Sequence, residues 1–135
     1  MRSILALLFV ASPALAGPGW ELHVPERVEV ATGATGTLPI DISVDRGQTI
    51  SKDAGLVLDL LPDGGVSVMR RRLSRADAVD PDADAPRFAI PLRGEAAGDF
   101  PLKLHVRFWV CGTKVCKPVD ARRTVTVSVV AGSAS

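Results

Sequence analysis

From Leu102 to Val110 the chain alternates strictly, with Leu102, Leu104, Val106, Phe108 and Val110 on one parity and Lys103, His105, Arg107 and Trp109 on the other. A period of two marks a strand with one face against a core and one toward solvent. Thr124 to Val129 repeats the pattern, with Val125, Val127 and Val129 opposed to Thr124, Thr126 and Ser128. Shorter runs of the same character cover Trp20 to Val24, Arg27 to Val30, Thr37 to Val44, Gly55 to Leu60, Val66 to Arg70 and Arg87 to Leu92. Gly, Pro and Asp clusters such as Leu61-Pro62-Asp63-Gly64-Gly65 divide them. Helical periodicity is missing throughout, so the pattern predicts an all-β, antiparallel sandwich. Pro25, Pro39 and Pro91 fall in or beside these runs. Having no N–H to donate, they belong at edges or strand starts.

The first residues follow a different rule. Met1-Arg2 is a short positive start, Ile4 to Val10 is apolar, and Ala14-Leu15-Ala16 has the small-x-small form that precedes signal cleavage. A signal peptide is expected over residues 1–16, cut near Ala16, leaving one domain over 17–131 and a small polar tail over 132–135. The apolar run is far shorter than the roughly 20 residues a spanning helix needs, and no later segment approaches that length, so no membrane span is expected. The residue after the cleavage point is Gly17, not a cysteine, so no lipid anchor on the new N-terminus is expected. The mature protein is expected to be periplasmic or secreted. Tyr and Asn are absent and Arg greatly outnumbers Lys, a bias that associates with GC-rich bacterial coding. A net charge of +1 gives no electrostatic case for nucleic acid.

Between Arg70 and Pro86 the alternation stops. Arg70-Arg71-Arg72-Leu73-Ser74-Arg75 is followed by a stretch bearing Asp77, Asp80, Asp82 and Asp84. This is expected to be a long exposed loop, either a solvated connection or a cap for a neighbouring site. The Asp spacing lacks the central Gly and closing Glu of an EF-hand.

The chemistry of the chain concentrates in its two thiols, Cys111 and Cys116, in Val110-Cys111-Gly112-Thr113-Lys114-Val115-Cys116-Lys117-Pro118. If the strand from Leu102 runs on without a bulge, Cys111 shares the outward face of Arg107 and Trp109. Counting back from Val125 through Val119 puts Cys116 outward too. The two would then meet across a four-residue turn, where cross-strand neighbours lie within disulfide reach. An exported chain favours the bonded form. Closing a loop of about six residues stabilises by only about 2 kcal/mol in the chain-entropy model, against about 4–5 kcal/mol for a loop of a hundred. Lys114 and Lys117 flank Cys116 in sequence, and cations favour the thiolate that attacks in disulfide exchange. Two readings stay open on the residues alone: a redox-active pair, or a structural staple within a non-enzymatic binding or accessory module.

The signal sequence, the apolar-aromatic strand, the hairpin-tip cysteines, Pro118 shortly after the second and the closing Val-rich strand together resemble the N-terminal periplasmic domain of the thiol:disulfide interchange protein DsbD. The run from Leu38 through Gln48 to Leu60 is similar in layout. The resemblance implies an immunoglobulin-like fold and a Cys111–Cys116 pair that takes electrons from a membrane electron donor and passes them to periplasmic thiol-disulfide oxidoreductases. It casts Cys116 as the nucleophile that engages partners and Cys111 as the resolving thiol. Three features differ. The cysteines are one residue closer than is typical of that family. The stretch from Arg70 to Ala85, which corresponds to its covering loop, has no aromatic, leaving Leu73 as a partial substitute. The chain also lacks a thioredoxin-type cysteine pair and a membrane-spanning carrier, so its donor is expected to be a separate protein.

Other chemistry is thin. His23 and His105 complete a two-Cys, two-His inventory, but at spacings unlike zinc fingers, and neither metal nor cofactor is expected. Gly33 and Gly36 sit in a turn rather than before a helix, and no strand–turn–helix frames a serine nucleophile. Asp41, Asp45 and Asp59 are dispersed carboxylates that form no catalytic pair by parity.

Overall fold

The computed structural model describes residues 19–132, so the expected signal peptide, its cleavage point and the end of the tail lie outside the described residues. Ten strands form: β1 (Trp20–His23), β2 (Arg27–Ala31), β3 (Thr35–Val44), β4 (Thr49–Ile50), β5 (Val57–Pro62), β6 (Val66–Val68), β7 (Arg72–Ser74), β8 (Arg87–Gly94), β9 (Gly98–Cys111) and β10 (Cys116–Val130). One sheet has the order β1-β3-β8-β6 and the other β2-β10-β9-β5-β7, with β4 joining the second sheet on β9. The strand pairs are antiparallel except β2 with β10. In immunoglobulin lettering this is an ABED sheet facing a GFCC′ sheet, with the first strand split so that each half edges a different sheet. The chain is an immunoglobulin-like β-sandwich, although β6 reaches the D position before β7 reaches C′.

Alternation carries the apolar parity of each strand into one core. Leu38, Ile40 and Ile42 of β3 and Phe88, Ile90 and Leu92 of β8 face Leu58 and Leu60 of β5, Leu102 to Val110 of β9 and Val119 to Val129 of β10. Each such side chain, taken fully out of water, stabilises the fold by about 1.5–3 kcal/mol. No polar or charged side chain among the described residues is buried. Trp20 closes one end of the core, its ring edge-on to Phe108 at a centroid distance of 5.5 Å.

The prolines obey their constraint in an unexpected way. Pro25 lies in the switch between β1 and β2. Pro39 and Pro91 sit within inner strands, but at places where an outer neighbour has already ended: β1 pairs with β3 only from Asp41 onward, and β6 pairs with β8 only from Leu92 onward. Gly64 takes a φ of 65° in the turn before β6, a left-handed conformation that glycine adopts without cost, and Phe100 packs directly over it.

Several elements depart from the sequence reading. The stretch expected as an exposed loop contains β7, which extends the second sheet through β5, and a single 3-10 turn at Arg75–Asp77. The closing strand is also far longer than Thr124 to Val129. It runs back to Cys116 because β9 supplies a partner along its whole length, although Arg122-Arg123 interrupts the alternation.

Replacing Phe108 by alanine is expected to cost about 3–5 kcal/mol, measured by denaturant unfolding, because it empties the centre of β9 and removes the ring that Trp20 packs on.

Candidate functional site

The register between β9 and β10 is unbroken from Gly98 opposite Val129 to Cys111 opposite Cys116. With no bulge, both cysteines keep the parity of Trp109 and face out of the sandwich. They are joined by a disulfide with Cα atoms 4.0 Å apart. One step nearer the tip, the Gly112 N–H donates to the Val115 carbonyl at 2.9 Å, which makes the cysteines the closely spaced, non-hydrogen-bonded pair of the ladder. Gly112 allows a close approach here: a Cβ on it would stand 2.9 Å from the side-chain amide nitrogen of Gln48. Cys111 is half-buried and Cys116 is exposed.

On the other side of Cys111 runs β4, with Thr49 opposite Cys111 and Ile50 opposite Val110. Thr49, Ser51, Lys52, Asp53 and Asp84 join the two cysteines around a cleft of about 390 Å³. Asp84 reaches this place because the 78–86 loop is fastened to β4. The Ile50 N–H donates to the Asp84 carbonyl at 2.8 Å. Arg75 acts as the hub: its guanidinium donates to the carbonyls of Ile50 and Ser51, each at 3.0 Å, of Pro81 at 2.7 Å, and of Ala83. One side chain thus ties the middle of the loop to the strand beside the disulfide.

Two of the segment's four aspartates, Asp77 and Asp80, add to the same fastening. Asp77 accepts from the Ser74 N–H at 2.9 Å and pairs with Arg70. Asp80 accepts from the Arg87 N–H at 2.7 Å and from its guanidinium at 3.2 Å. Both carboxyls are held below the usual carboxylate range, Asp77 chiefly by the Ser74 N–H and Asp80 chiefly by the Arg87 N–H, with partial desolvation opposing. The expected split into a basic and an acidic end is therefore partly closed by two local ion pairs, Arg70 with Asp77 and Arg87 with Asp80. Leu73, expected as a cover for the sulfurs, instead lines a separate cleft with Phe88 and Ile90.

Other residues that the sequence singled out are dispersed. Trp109 stands beside the cysteines at 40% exposure, opposite Pro118. Arg107 shares that face but is bound to Asp59, 3.2 Å away. Asp59 also holds Arg72, whose hydrogen bond is the main cause of its lowered pKa. His105 lies 2.6 Å from Asp120 on the same sheet, while His23 lies 2.9 Å from Ser43 on the other. Neither histidine reaches the cysteine cleft. Lys114 and Lys117 line a different cleft on the far side of the hairpin, because Lys117 has the opposite parity to Cys116. The sequence reading missed β4 and Arg75. A two-residue strand has no readable period, and an arginine that binds carbonyls leaves no charge partner to look for.

No family model matches the chain, and no curated protein matches it in sequence. Among solved structures it is similar to AggA, the major subunit of aggregative adherence fimbriae type I from Escherichia coli, at 8% identity over 82% of this chain and 94% of that one, with a TM-score of 0.42. It is also similar to murine CRIg, at 9% identity over 82% and 98% of the two chains, with a TM-score of 0.46. For the CooA pilin subunit of enterotoxigenic Escherichia coli the values are 13%, 84%, 99% and 0.37. At such identities and scores these likenesses bear on neither activity nor partners. Among the described residues, no helix is long and apolar enough to cross a membrane.

Because Asp77 and Asp80 have lowered pKa values, the stability they contribute is present above the ordinary Asp range and is lost as pH falls through their folded values. Protection of the Ser74 and Arg87 amides against hydrogen exchange is expected to hold between about pH 5 and pH 8 and to fall below about pH 4. In Asp80→Asn the Arg87 amide should lose this acid dependence.

Proposed function

We propose that this protein is an exported thiol–disulfide interchange domain that works through the Cys111–Cys116 bond. The observation that carries the reading is an exposed Cys116, bonded across the strands to a half-buried Cys111, in an open cleft at the loop end of an immunoglobulin-like sandwich. The pair and its surroundings fit the resemblance to the DsbD N-terminal domain. The difference in covering also stands: the 78–86 loop flanks the sulfurs by way of Asp84, with no aromatic over them.

In this reading a thiolate of a reduced partner attacks the Cys116 sulfur. The Cys111–Cys116 bond breaks, Cys111 leaves as a thiolate and a mixed disulfide forms. The partner's second thiolate then attacks its own bonded sulfur, so the partner leaves oxidised and both cysteines are reduced. The acceptor half runs in reverse: the Cys116 thiolate attacks a partner disulfide, and Cys111 attacks the Cys116 sulfur to close the bond again. Two electrons pass in each half, and the thiolates released are protonated by water. The partners implied are a membrane electron donor and periplasmic dithiol oxidoreductases. The exposure of Cys116 supports it as the attacked position, and the lower exposure of Cys111, between Cys116 and Thr49 in the sheet, supports a resolving role for it.

The competing reading, an accessory module with a structural staple, asks the bond to hold a hairpin that the register and the Gly112–Val115 hydrogen bond already hold. Trapping separates the two. Cys111→Ala should retain a covalent partner through Cys116 when mixed with an oxidised periplasmic extract, released by reductant and identified by mass. Cys116→Ala should retain far less. The loop-closure value bounds the stability lost in Cys111→Ala at about 2 kcal/mol, so the variant should remain folded for the trapping test. A stable Cys111→Ala protein that captures nothing would contradict the relay.

A further inference from the structure

We infer that the cleft on the far side of the cysteine hairpin is a docking site for an acidic segment of a partner polypeptide. The cleft holds about 530 Å³ and is walled by Asp45, Arg46 and Gln48 from the turn after β3 and by Thr113, Lys114 and Lys117 from the hairpin. Three cations face one carboxylate. Elsewhere the arginines are largely spoken for: Arg27, Arg70, Arg72, Arg87 and Arg93 each pair with a carboxylate. Arg46, Lys114 and Lys117 have no carboxylate within 4.0 Å among the described residues, and Asp45 has no cation within that distance. Lys52, Arg71, Lys103 and Arg123 are also without such a partner among the described residues, but here three unpaired cations line one concave place.

The placement gives the charge a use. The Gln48 side chain lies against both Gly19 and Gly112, so the cleft floor is continuous with the hairpin support. Lys117 follows Cys116 directly and points to the opposite face, so the two clefts share the hairpin as a common wall. A partner chain that engages Cys116 has only the hairpin tip to cross to reach this second cleft. Val115, 59% exposed at the tip, offers it an apolar contact on the way. Carboxylates are the complement of the cluster, and the concavity suits several residues of extended chain rather than a single ion. Such contacts steer encounter and are weakened by salt.

The inference rests on the relay reading for its partner, but its test has an arm that does not. A cysteine-free oligoglutamate peptide is titrated into the isotope-labelled, disulfide-bonded protein, with an oligoserine peptide and inorganic phosphate as comparisons. Oligoglutamate should shift the amides of residues 45–48 and 113–117 saturably, bind at least about fivefold more tightly than oligoserine at low salt, and weaken as salt rises. Phosphate should not saturate over the same range. Lys114→Glu with Lys117→Glu should abolish the preference, and Lys114→Gln with Lys117→Gln should reduce it, with core amides unmoved in both. Equal binding of the two peptides, indifference to charge reversal, or phosphate binding as tight as the peptide would overturn the docking site.

A second arm gives each peptide one cysteine and follows reduction of Cys111–Cys116. The acidic thiol peptide should react about fivefold faster than the serine one, and the advantage should vanish in the charge-reversed variant. If the cysteine-free acidic peptide binds and neither thiol peptide reduces the bond, the relay fails and the docking site stands. If both thiol peptides reduce it at the same rate, the relay stands and the docking site fails.

Discussion

The register of the β9–β10 hairpin is the constraint on which the rest depends. A slip of one residue would turn Leu102, Leu104, Val106, Phe108 and Val110 toward water and bring Lys103, His105 and Arg107 into the core. Burial of that apolar column fixes the register, and the disulfide at the far end inherits it. The energies have the same order: the buried side chains contribute about 1.5–3 kcal/mol each, whereas a bond closing so short a loop contributes about 2 kcal/mol in all. By these magnitudes the sulfur–sulfur bond is a small share of what holds the sandwich together. A bond that the fold can lose is one that chemistry can use.

The loop end of the sandwich is organised around that hairpin by polar rather than apolar means. Arg75 gathers carbonyls from β4 and from the 78–86 loop, and Asp77 and Asp80 tie the same loop to Ser74 and Arg87. These bonds lie at or near the surface, where each adds little net stability, but together they specify one loop path. The outcome is a cleft beside the cysteines whose wall is built and whose sulfurs stay within reach. Polar fastening leaves the solvent path to Cys116 open, which a greasy lid would close.

Most of the fold was legible because alternation is a local signal. The strands from Trp20, Arg27, Thr37, Val66, Arg87 and Leu102 all stand within a few residues of where their patterns begin, and the outward placement of both cysteines followed from counting parity. What escaped is what partners create. β4 and β7 are too short to have a period and exist because β9 and β5 offer free edges. The first half of β10 was hidden by Arg122-Arg123, charges tolerated at a position where β10 has β9 on one side and β2 joins only from Thr126. Sequence neighbours also misled: Lys117 adjoins Cys116 in the chain but faces away from it, since strand neighbours always do. The role of Leu73 was misread in a similar way, because β7 turns it toward Phe88 rather than toward the hairpin.

The decisive quantity is the redox equilibrium of Cys111–Cys116 in the folded protein, set against a graded dithiol buffer and read by alkylation and intact mass. Relay chemistry requires a midpoint above about −300 mV, with the core amides of β9 unchanged when the bond is open. A bond that stays closed until the buffer is well below that value, or that opens only as the sandwich unfolds, would mean that the hairpin carries a staple and no current.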